Sequence, residues 1–266
     1  MVQTTRTCDA MRLGFVGTGK ITESVVTGLL RSGFDFERIT LSPRNLDRAI
    51  RVASQDARIH VAETNQDVLD RSDVVCLAVR PQIANSVLEP LKFDSRHHVI
   101  SFVATYSASD LRAIVGPVAA IVRAAPVPTV ELLEGATAIF PADKVANGIF
   151  RTLGTVMAAE EDGQYDALCS IAGVMGTFYA LMEQQVSWLV GKGVEASQAS
   201  AYVSQLYVGL ARFARDDHQQ LAELAAEFST KGGLNEQLLK EISAGGVFAT
   251  FRSALENVYC RIQSHH

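Results

Sequence analysis

Short runs of apolar residues alternate with segments of helical periodicity from Met11 to about Ala159. Because strands that alternate with helices of roughly 10–15 residues form βαβ units, this alternation predicts an α/β domain with a doubly wound parallel sheet. The runs FVG, VVCLAV and VISFVA are apolar on both faces, as expected for parallel strands that lie beneath helices. The predicted strands are Arg12–Val16, Arg38–Ser42, Asp73–Val79, Val99–Phe102, Ala119–Arg123 and Ala136–Phe140, with helices between them such as Ile21–Leu30 and Gln82–Leu91.

After about Gly163 the strand pattern stops, and only helical periodicity follows. The predicted helices are Gln164–Ala172, Thr177–Lys192, Ala196–Arg215, Asp217–Phe228, Leu234–Ser243 and Val247–Gln263. The sequence therefore predicts a disordered arm at residues 1–10, a sheet domain at residues 11–162 and an all-helical domain at residues 163–266. A helical unit of this size can complete its core in a second subunit, so we expect a homodimer or a higher homo-oligomer.

The composition is that of a folded protein. Hydrophobic residues make up 48% of the 266 positions and charged residues 20%, which supplies enough apolar side chain for a core and excludes a disordered chain. The 24 basic residues are outnumbered by 29 acidic ones, which gives a net charge of −5. Because no basic excess is available for polyanions, we expect neither nucleic acid nor a membrane surface as a partner.

The cysteines and histidines lack the spacing of disulfide frameworks and metal sites, so we expect no metal. Four distant cysteines favour reduced thiols in a cytosolic protein; they are Cys8, Cys76, Cys169 and Cys260. We interpret the final pair, His265 and His266, as a tag remnant. Residues 1–10 carry no apolar signal segment, and the uncharged stretch Ala167–Met182 is shorter than a membrane span. These features predict a soluble, cytoplasmic protein.

A glycine-rich turn stands between the first predicted strand and the first helix, in the segment RLGFVGTGKIT. Gly17 permits a tight turn, and Gly19 lets the backbone approach a pyrophosphate at the positive end of the helix. We therefore predict a dinucleotide site, against the alternative of a purely structural turn. The predicted pyrophosphate contacts are Gly17, Thr18, Gly19, Lys20 and Ile21.

The same segment also reads G-x-x-x-x-G-K from Gly14 to Lys20, which is how a nucleoside-triphosphate loop begins. That motif needs Ser or Thr directly after the lysine to hold Mg²⁺, and Ile21 stands there. The interpretation as a nucleoside triphosphatase is therefore disfavoured.

The end of the second predicted strand indicates which dinucleotide binds. Ser42 follows Gly17 at about the distance where a carboxylate would bind the ribose hydroxyls of NAD. The chain has no carboxylate there, and the donors of Ser42, Arg44 and Asn45 favour the 2′-phosphate of NADPH over NADH; a solvated loop arginine is the alternative. The next buried strand ends at the same ligand crevice, which adds Ala78, Val79, Arg80 and Pro81 to the predicted cofactor contacts.

These segments resemble the pyrroline-5-carboxylate reductases, and the resemblance extends from Met11 to about Ile262. It rests on GFVGTGKITESVVTGLL, on LAVRPQ (usually LAVKPQ in the family), on VRAAP before EGATA, and on STKGG. The resemblance implies an NADPH-binding Rossmann domain followed by an all-helical dimerisation domain. It also implies an oxidoreductase that reduces the cyclic imine pyrroline-5-carboxylate to proline, in dimers that often assemble further.

The chain departs from the family in the segments that the resemblance assigns to the substrate. Ala125-Pro-Val127 replaces a methionine-proline-asparagine stretch, and Met175 stands in a turn that is otherwise rich in serine and glycine. The family's Ser-Pro-Gly-Gly loop, followed by a small residue and threonine, becomes TKGGLN. The resemblance places substrate contacts at Thr230, Gly232, Gly233, Leu234, Asn235 and Met175, with Asn235 and Lys231 as catalytic candidates.

The residues of this loop also suit an anion, because the backbone N–H groups of Leu234 and Asn235 would open a helix. The alternative is an ordinary helix boundary. Three functions stay open from the sequence: reduction of a cyclic imino acid, reduction of a different imine or ketone by the same fold, and NADP binding without turnover. Tyr179 and Tyr202 are further candidates for a proton donor.

Overall fold

The computed structural model describes residues 11–216 and 220–264. The predicted arm at residues 1–10, Cys8 and the terminal histidines lie outside the described residues. The described residues form two compact units: residues 11–172 together with residues 259–264, and the described part of Gly173–Val258. The predicted boundary at residues 162/163 stays a prediction, and the first compact unit continues beyond it through one further helix.

The first unit contains an eight-stranded sheet with the order β3-β2-β1-β4-β5-β6-β7-β8. The prediction of a doubly wound α/β fold is confirmed, because β1 pairs in parallel with both β2 and β4 and the chain then proceeds outward in both directions. The strands are β1 Met11–Val16, β2 Phe36–Leu41, β3 Ile59–Val61, β4 Val74–Leu77, β5 His98–Ser101, β6 Ala120–Ala125, β7 Gly135–Phe140 and β8 Gly154–Ala158.

The sheet departs from the prediction at its ends. The strands β3 and β8 were not predicted, and β7 pairs with β6 in an antiparallel sense. Only residues 126–134 connect β6 to β7, and a parallel crossover needs a dozen residues or more. The strands β7 and β8, which are joined by a helix, are again parallel to each other.

Helices cover both faces of the sheet. Successive residues of β1 enter different cores, since Phe15 packs in one buried cluster and Val16 in the other. The helices of this unit are α1 Lys20–Ser32, α2 Leu46–Ala53, α3 Asn65–Asp70, α4 Ala84–Leu88, α5 Ala108–Val115, α6 Lys144–Arg151 and α7 Asp162–Ala172, with 3₁₀ turns at Pro81–Ile83 and Pro128–Leu132.

The second unit is helical, as predicted. Its helices are α8 Met175–Gly191, α9 Ala196–Asp216, α10 Leu221–Phe228, α11 Leu234–Ala244 and α12 Val247–Gln263, the last of which ends in the first unit. The predicted start of α10 at Asp217 falls on residues outside the description. Few apolar side chains of this unit are buried, and many large ones are exposed, among them Trp188, Leu206 and Phe248. A single copy of this unit therefore leaves much of its apolar surface in water.

One stretch of the described chain, Asp162–Gly191, has the length and hydropathy of a membrane span. It is not one continuous helix, because residues 173–174 separate α7 from α8. Length and composition alone make it weak support for a membrane segment, and the expectation that no membrane partner exists stays a prediction.

Candidate functional site

The predicted glycine turn lies directly after β1, where the backbone of two strand ends meets. Gly17 has φ +105°, and a Cβ built on it would lie 2.5 Å from the carbonyl oxygen of Ala78. Its N–H donates to Oγ of Ser42 over 2.9 Å, and its carbonyl accepts from Thr22 Oγ1 over 2.7 Å. Only glycine fits this position, because any side chain would strain the backbone and collide with the end of β4.

Replacing Gly17 with alanine is expected to lower the free energy of unfolding by about 2–4 kcal/mol, from the positive φ together with the clash. Urea denaturation of the purified variant measures this loss. Gly148→Ala is the matched control, because its Cβ would meet no atom within 4 Å on the exposed side of α6. A Gly17→Ala variant as stable as the control would contradict the described turn.

Ser42 is buried, and its hydroxyl serves the glycine turn. It accepts from Gly17 and lies 3.2 Å from Oγ1 of Thr18, whose own proton goes to the carbonyl of Ser42 over 2.8 Å. The contact of Ser42 with a 2′-phosphate stays a prediction. The described hydrogen bonds give it the further role of fixing the turn on which the cofactor would rest.

A cleft of about 510 Å³ opens at the carboxyl ends of the central strands. The predicted cofactor residues that line it are Gly17, Thr18, Gly19, Ser42, Arg44, Asn45, Ala78, Val79 and Arg80, and further lining residues include Asp47 and Asn65. The other three predicted contacts lie beside the cleft. Lys20 pairs with Glu131 at 3.0 Å, Ile21 packs against the core, and Pro81 begins a 3₁₀ turn.

The cleft suits a phosphate group at the start of α1. Gly19 caps this helix without any side-chain hydrogen bond to its free N–H groups. Within the described chain, a Cβ on Gly19 would meet no atom within 4 Å beyond its neighbours in sequence, so the space in front of the helix is open. Backbone N–H groups and the positive end of the helix dipole therefore face a space that an anion can enter.

Two arginines add positive charge to the same cleft. Arg44 and Arg80 are exposed, and within the described part of the chain neither side chain makes a hydrogen bond or an ion pair. Asp47 contributes a carboxylate to the lining. Free guanidinium groups beside an uncapped helix fit a dinucleotide that carries an additional phosphate.

The predicted substrate loop lies in the helical unit, between α10 and α11. Gly232 has φ +76°, and Gly233 caps α11 in an extended conformation. The side-chain amide of Asn235 donates to the carbonyl of Phe228 over 3.0 Å, so this amide is tied to the end of α10. Thr230, Lys231 and Leu234 are exposed, and Met175 begins α8 elsewhere in the same unit.

Glu236, which the sequence pattern did not single out, adds a carboxylate to this loop. Its carboxylate accepts from the N–H of Gly232 over 2.8 Å and pairs with Lys240 at 2.7 Å. Lys240, together with that N–H, holds the pKa of Glu236 below its usual range. The first turn of α11 therefore already holds a carboxylate. A substrate carboxylate bound to the N–H groups of this turn would lie close to that of Glu236.

An ion cluster near the end of β6 was not predicted from the sequence. Arg123 is fully buried and donates to Asp162 and to Asp166, each over 2.8 Å. Its sequence neighbours were singled out as a motif, but its partners lie about forty residues further along the chain. Among residues 11–216 and 220–264, no group of three or more His, Cys, Asp or Glu side chains is close enough together to hold a metal ion.

Two family models match the chain. One, described as NADP oxidoreductase coenzyme F420-dependent, matches residues 12–105. The other, described as pyrroline-5-carboxylate reductase dimerisation, matches residues 162–265. The two matched segments correspond to the part of the sheet unit that holds the cleft and to the helices that follow it.

Curated relatives and solved structures match over nearly the whole chain. The pyrroline-5-carboxylate reductase of Pseudomonas aeruginosa is 25% identical over 92% of this chain and 93% of its own, and that of Pisum sativum is 28% identical over 93% of both. The structure of a pyrroline-5-carboxylate reductase from Coxiella burnetii is 26% identical, with a TM-score of 0.82 over 97% of this chain and 99% of its own. A Plasmodium falciparum pyrroline carboxylate reductase, solved with NADP bound, is similar in fold at 18% identity, with a TM-score of 0.81 over 96% and 98%.

Proposed function

Since the chain belongs to the pyrroline-5-carboxylate reductase family, we propose that it reduces the C=N bond of pyrroline-5-carboxylate to form proline, with NADPH as the reductant. Enzymes of this family act on that bond and use NAD(P)H. The observation that carries the proposal is the cleft at the uncapped start of α1, in a chain that matches these enzymes over more than nine tenths of its length.

The sheet unit would hold the cofactor. The backbone N–H groups at Gly19 and the first turn of α1 would bind the pyrophosphate, and Arg44 would bind the 2′-phosphate. When bound, NADPH supplies the hydride for the imine carbon. The residues of the cleft then contribute orientation, which is the main requirement of hydride transfer between two bound molecules.

The helical unit would hold the substrate through the loop that ends at Asn235. Lys231 is exposed there and would attract the substrate carboxylate, while the N–H groups at the start of α11 would bind it. A protonated imine brings its own proton, so the chain need not supply an acid; Lys231 and Asn235 stay catalytic candidates. Glu236 lowers the attraction of this loop for anions, which makes Lys231 the more important to substrate binding.

Arg44→Ala is expected to reduce the ratio of kcat/KM with NADPH to that with NADH by about tenfold or more, because a phosphate–arginine contact contributes about 1.5–3 kcal/mol. Steady-state kinetics with both cofactors measures this ratio. Arg51→Ala is the matched control, since Arg51 is exposed, pairs with Glu23 and does not line the cleft. An unchanged ratio in Arg44→Ala would remove Arg44 from the site.

The alternatives predict different products. Incubation with NADPH and pyrroline-5-carboxylate should yield proline and NADP⁺ in equal amounts, which amino-acid analysis and absorbance measure. Reduction of other imines or ketones, but not of this one, would favour a changed substrate. NADPH binding without oxidation by any of them would favour a sensor. The names of the relatives, which match across both units, favour the first outcome.

The chain forms a homo-oligomer and acts on a small molecule. We assign the contact to the helices from α8 onward, which leave large apolar side chains exposed in one copy. We also propose that the protein is cytoplasmic. Three cysteines of the described chain, Cys76, Cys169 and Cys260, are free thiols, which supports a reducing compartment.

A further inference from the structure

Arg123 lies in β6, two residues before the strand ends, and joins three segments of the sheet unit. One terminal nitrogen donates to Asp162, and the other donates to Asp166 and, over 3.2 Å, to the carbonyl of Ala104. Ala104 lies in the loop after β5, and both aspartates lie on α7. One side chain thus holds the end of β6, the loop after β5 and the start of α7 together.

The burial of Arg123 is not explained by stability alone. Arg123 and Asp166 are 0% and 1% exposed, and Tyr165 lies beneath the guanidinium at 4.2 Å from its ring centre. The Nε of Arg123 is buried and has no hydrogen-bond partner among the described residues. Well-packed apolar residues are commonly as stable as a buried ion pair, and an unpartnered N–H is a further cost. Such a cluster is better explained by the geometry that it fixes.

That geometry concerns the edge of the sheet that carries the cleft. Arg123 is in register with Ser101, the last residue of β5, and Ser101 in turn is in register with Leu77, the last residue of β4. The cleft is lined by the residues that follow β4 and by the turn after β1. A dinucleotide whose pyrophosphate lies on α1 must therefore extend its second half toward the loops after β5 and β6.

We propose that Arg123, Asp162 and Asp166 are positioning residues that hold the end of β6 and the loop after β5 as the seat of the nicotinamide half of the cofactor. The proposal rests on the proposed function for the identity of the cofactor. It predicts that damage to the cluster weakens binding of the nicotinamide half and leaves binding of the adenosine half unchanged.

Binding of the two halves of the cofactor can be measured separately with two ligands. NADPH contains both, and adenosine 2′,5′-bisphosphate contains only the adenosine half with its 2′-phosphate. Calorimetry should show that Asp166→Asn and Arg123→Lys raise the Kd for NADPH about tenfold, because the loop after β5 and the end of β6 lose their preorganisation. The Kd for adenosine 2′,5′-bisphosphate should stay unchanged. The fluorescence change of the bound reduced nicotinamide should decrease in the same variants.

Asp73→Asn is the matched control. Asp73 forms a partly buried ion pair with Arg12 at the opposite edge of the sheet, where β1 and β4 begin. Its loss should change the melting temperature and neither Kd. Asp162→Ala is the milder variant, because Asp162 is 54% exposed and its removal leaves the buried Arg123–Asp166 pair in place. It should raise the Kd for NADPH by a smaller factor.

If the cluster only stabilises the fold, Asp166→Asn and Arg123→Lys will lower the melting temperature, and the two Kd values will stay unchanged or rise together. Either result would overturn the proposal. Should both buried variants fail to fold, Asp162→Ala decides, since an unchanged ratio of its two Kd values would also overturn it. If the wild-type protein binds NADPH but does not reduce pyrroline-5-carboxylate, the proposed function fails, and the two Kd values still test the cluster.

Discussion

Gly19→Val is expected to leave the sheet unit folded and to raise the Kd for NADPH about a hundredfold. The backbone of Gly19 is extended, with φ −93° and ψ −171°, which valine also adopts. A Cβ there would meet no atom of the described chain within 4 Å, apart from its neighbours in sequence. The new side chain would instead fill the space in front of α1. Losing two hydrogen bonds from N–H groups to a charged pyrophosphate costs about 3 kcal/mol, which corresponds to about a hundredfold.

Calorimetry with NADPH measures this loss, and thermal unfolding without ligand checks the fold. Gly148→Val serves as the matched control, since it places the same side chain in open space on α6. A Gly19→Val variant that binds NADPH like the wild type would show that the pyrophosphate does not lie at the start of α1.

Leu206→Glu is expected to convert the oligomer into a monomer of 28.7 kDa. Leu206 lies on α9 and lines an apolar groove of about 360 Å³ together with Tyr202, Phe213 and Phe228. If a second copy covers this groove, the new carboxylate is buried without a partner. Such burial costs about 3–5 kcal/mol for each copy of the residue in the interface.

Light scattering after size-exclusion chromatography measures the mass. Ile50→Glu is the matched control, because Ile50 is 54% exposed on α2 of the sheet unit and Leu206 is 45% exposed. A Leu206→Glu protein that keeps the mass of the wild-type oligomer would show that the groove on α9 lies outside the subunit contact.

The sequence predicted the parts of the fold that depend on local pattern. The strands β4 and β5 are apolar on both faces, and the turn at Gly17 is set by its glycines. It did not predict β3, which has three residues and an exposed His60 in the middle, nor β8, whose residues are half-buried or exposed at the edge of the sheet. Such edge strands are defined by their neighbours and not by their own periodicity.

The candidate site divides in the same way. The residues that line the cleft because they follow a strand could be predicted from the sequence. The doubly wound topology brings the carboxyl ends of the parallel strands to one edge of the sheet. The partners of Arg123 were not, since Asp166 lies 43 positions away and the pairing depends on how α7 packs. The role of Ser42 as an acceptor for Gly17 likewise requires the distance between two loops. Hydrogen bonds between side chains and groups that are distant in sequence could not be predicted from the sequence pattern.

Hydride transfer from NADPH to pyrroline-5-carboxylate is the activity that the cleft and the family of this chain support. The most direct test follows the loss of absorbance of reduced nicotinamide with purified protein and pyrroline-5-carboxylate, with NADH and the Gly19→Val variant run alongside. We predict oxidation that depends on the imine, is faster with NADPH than with NADH and is lost in the variant. Binding of NADPH without any imine-dependent oxidation would contradict the proposed activity.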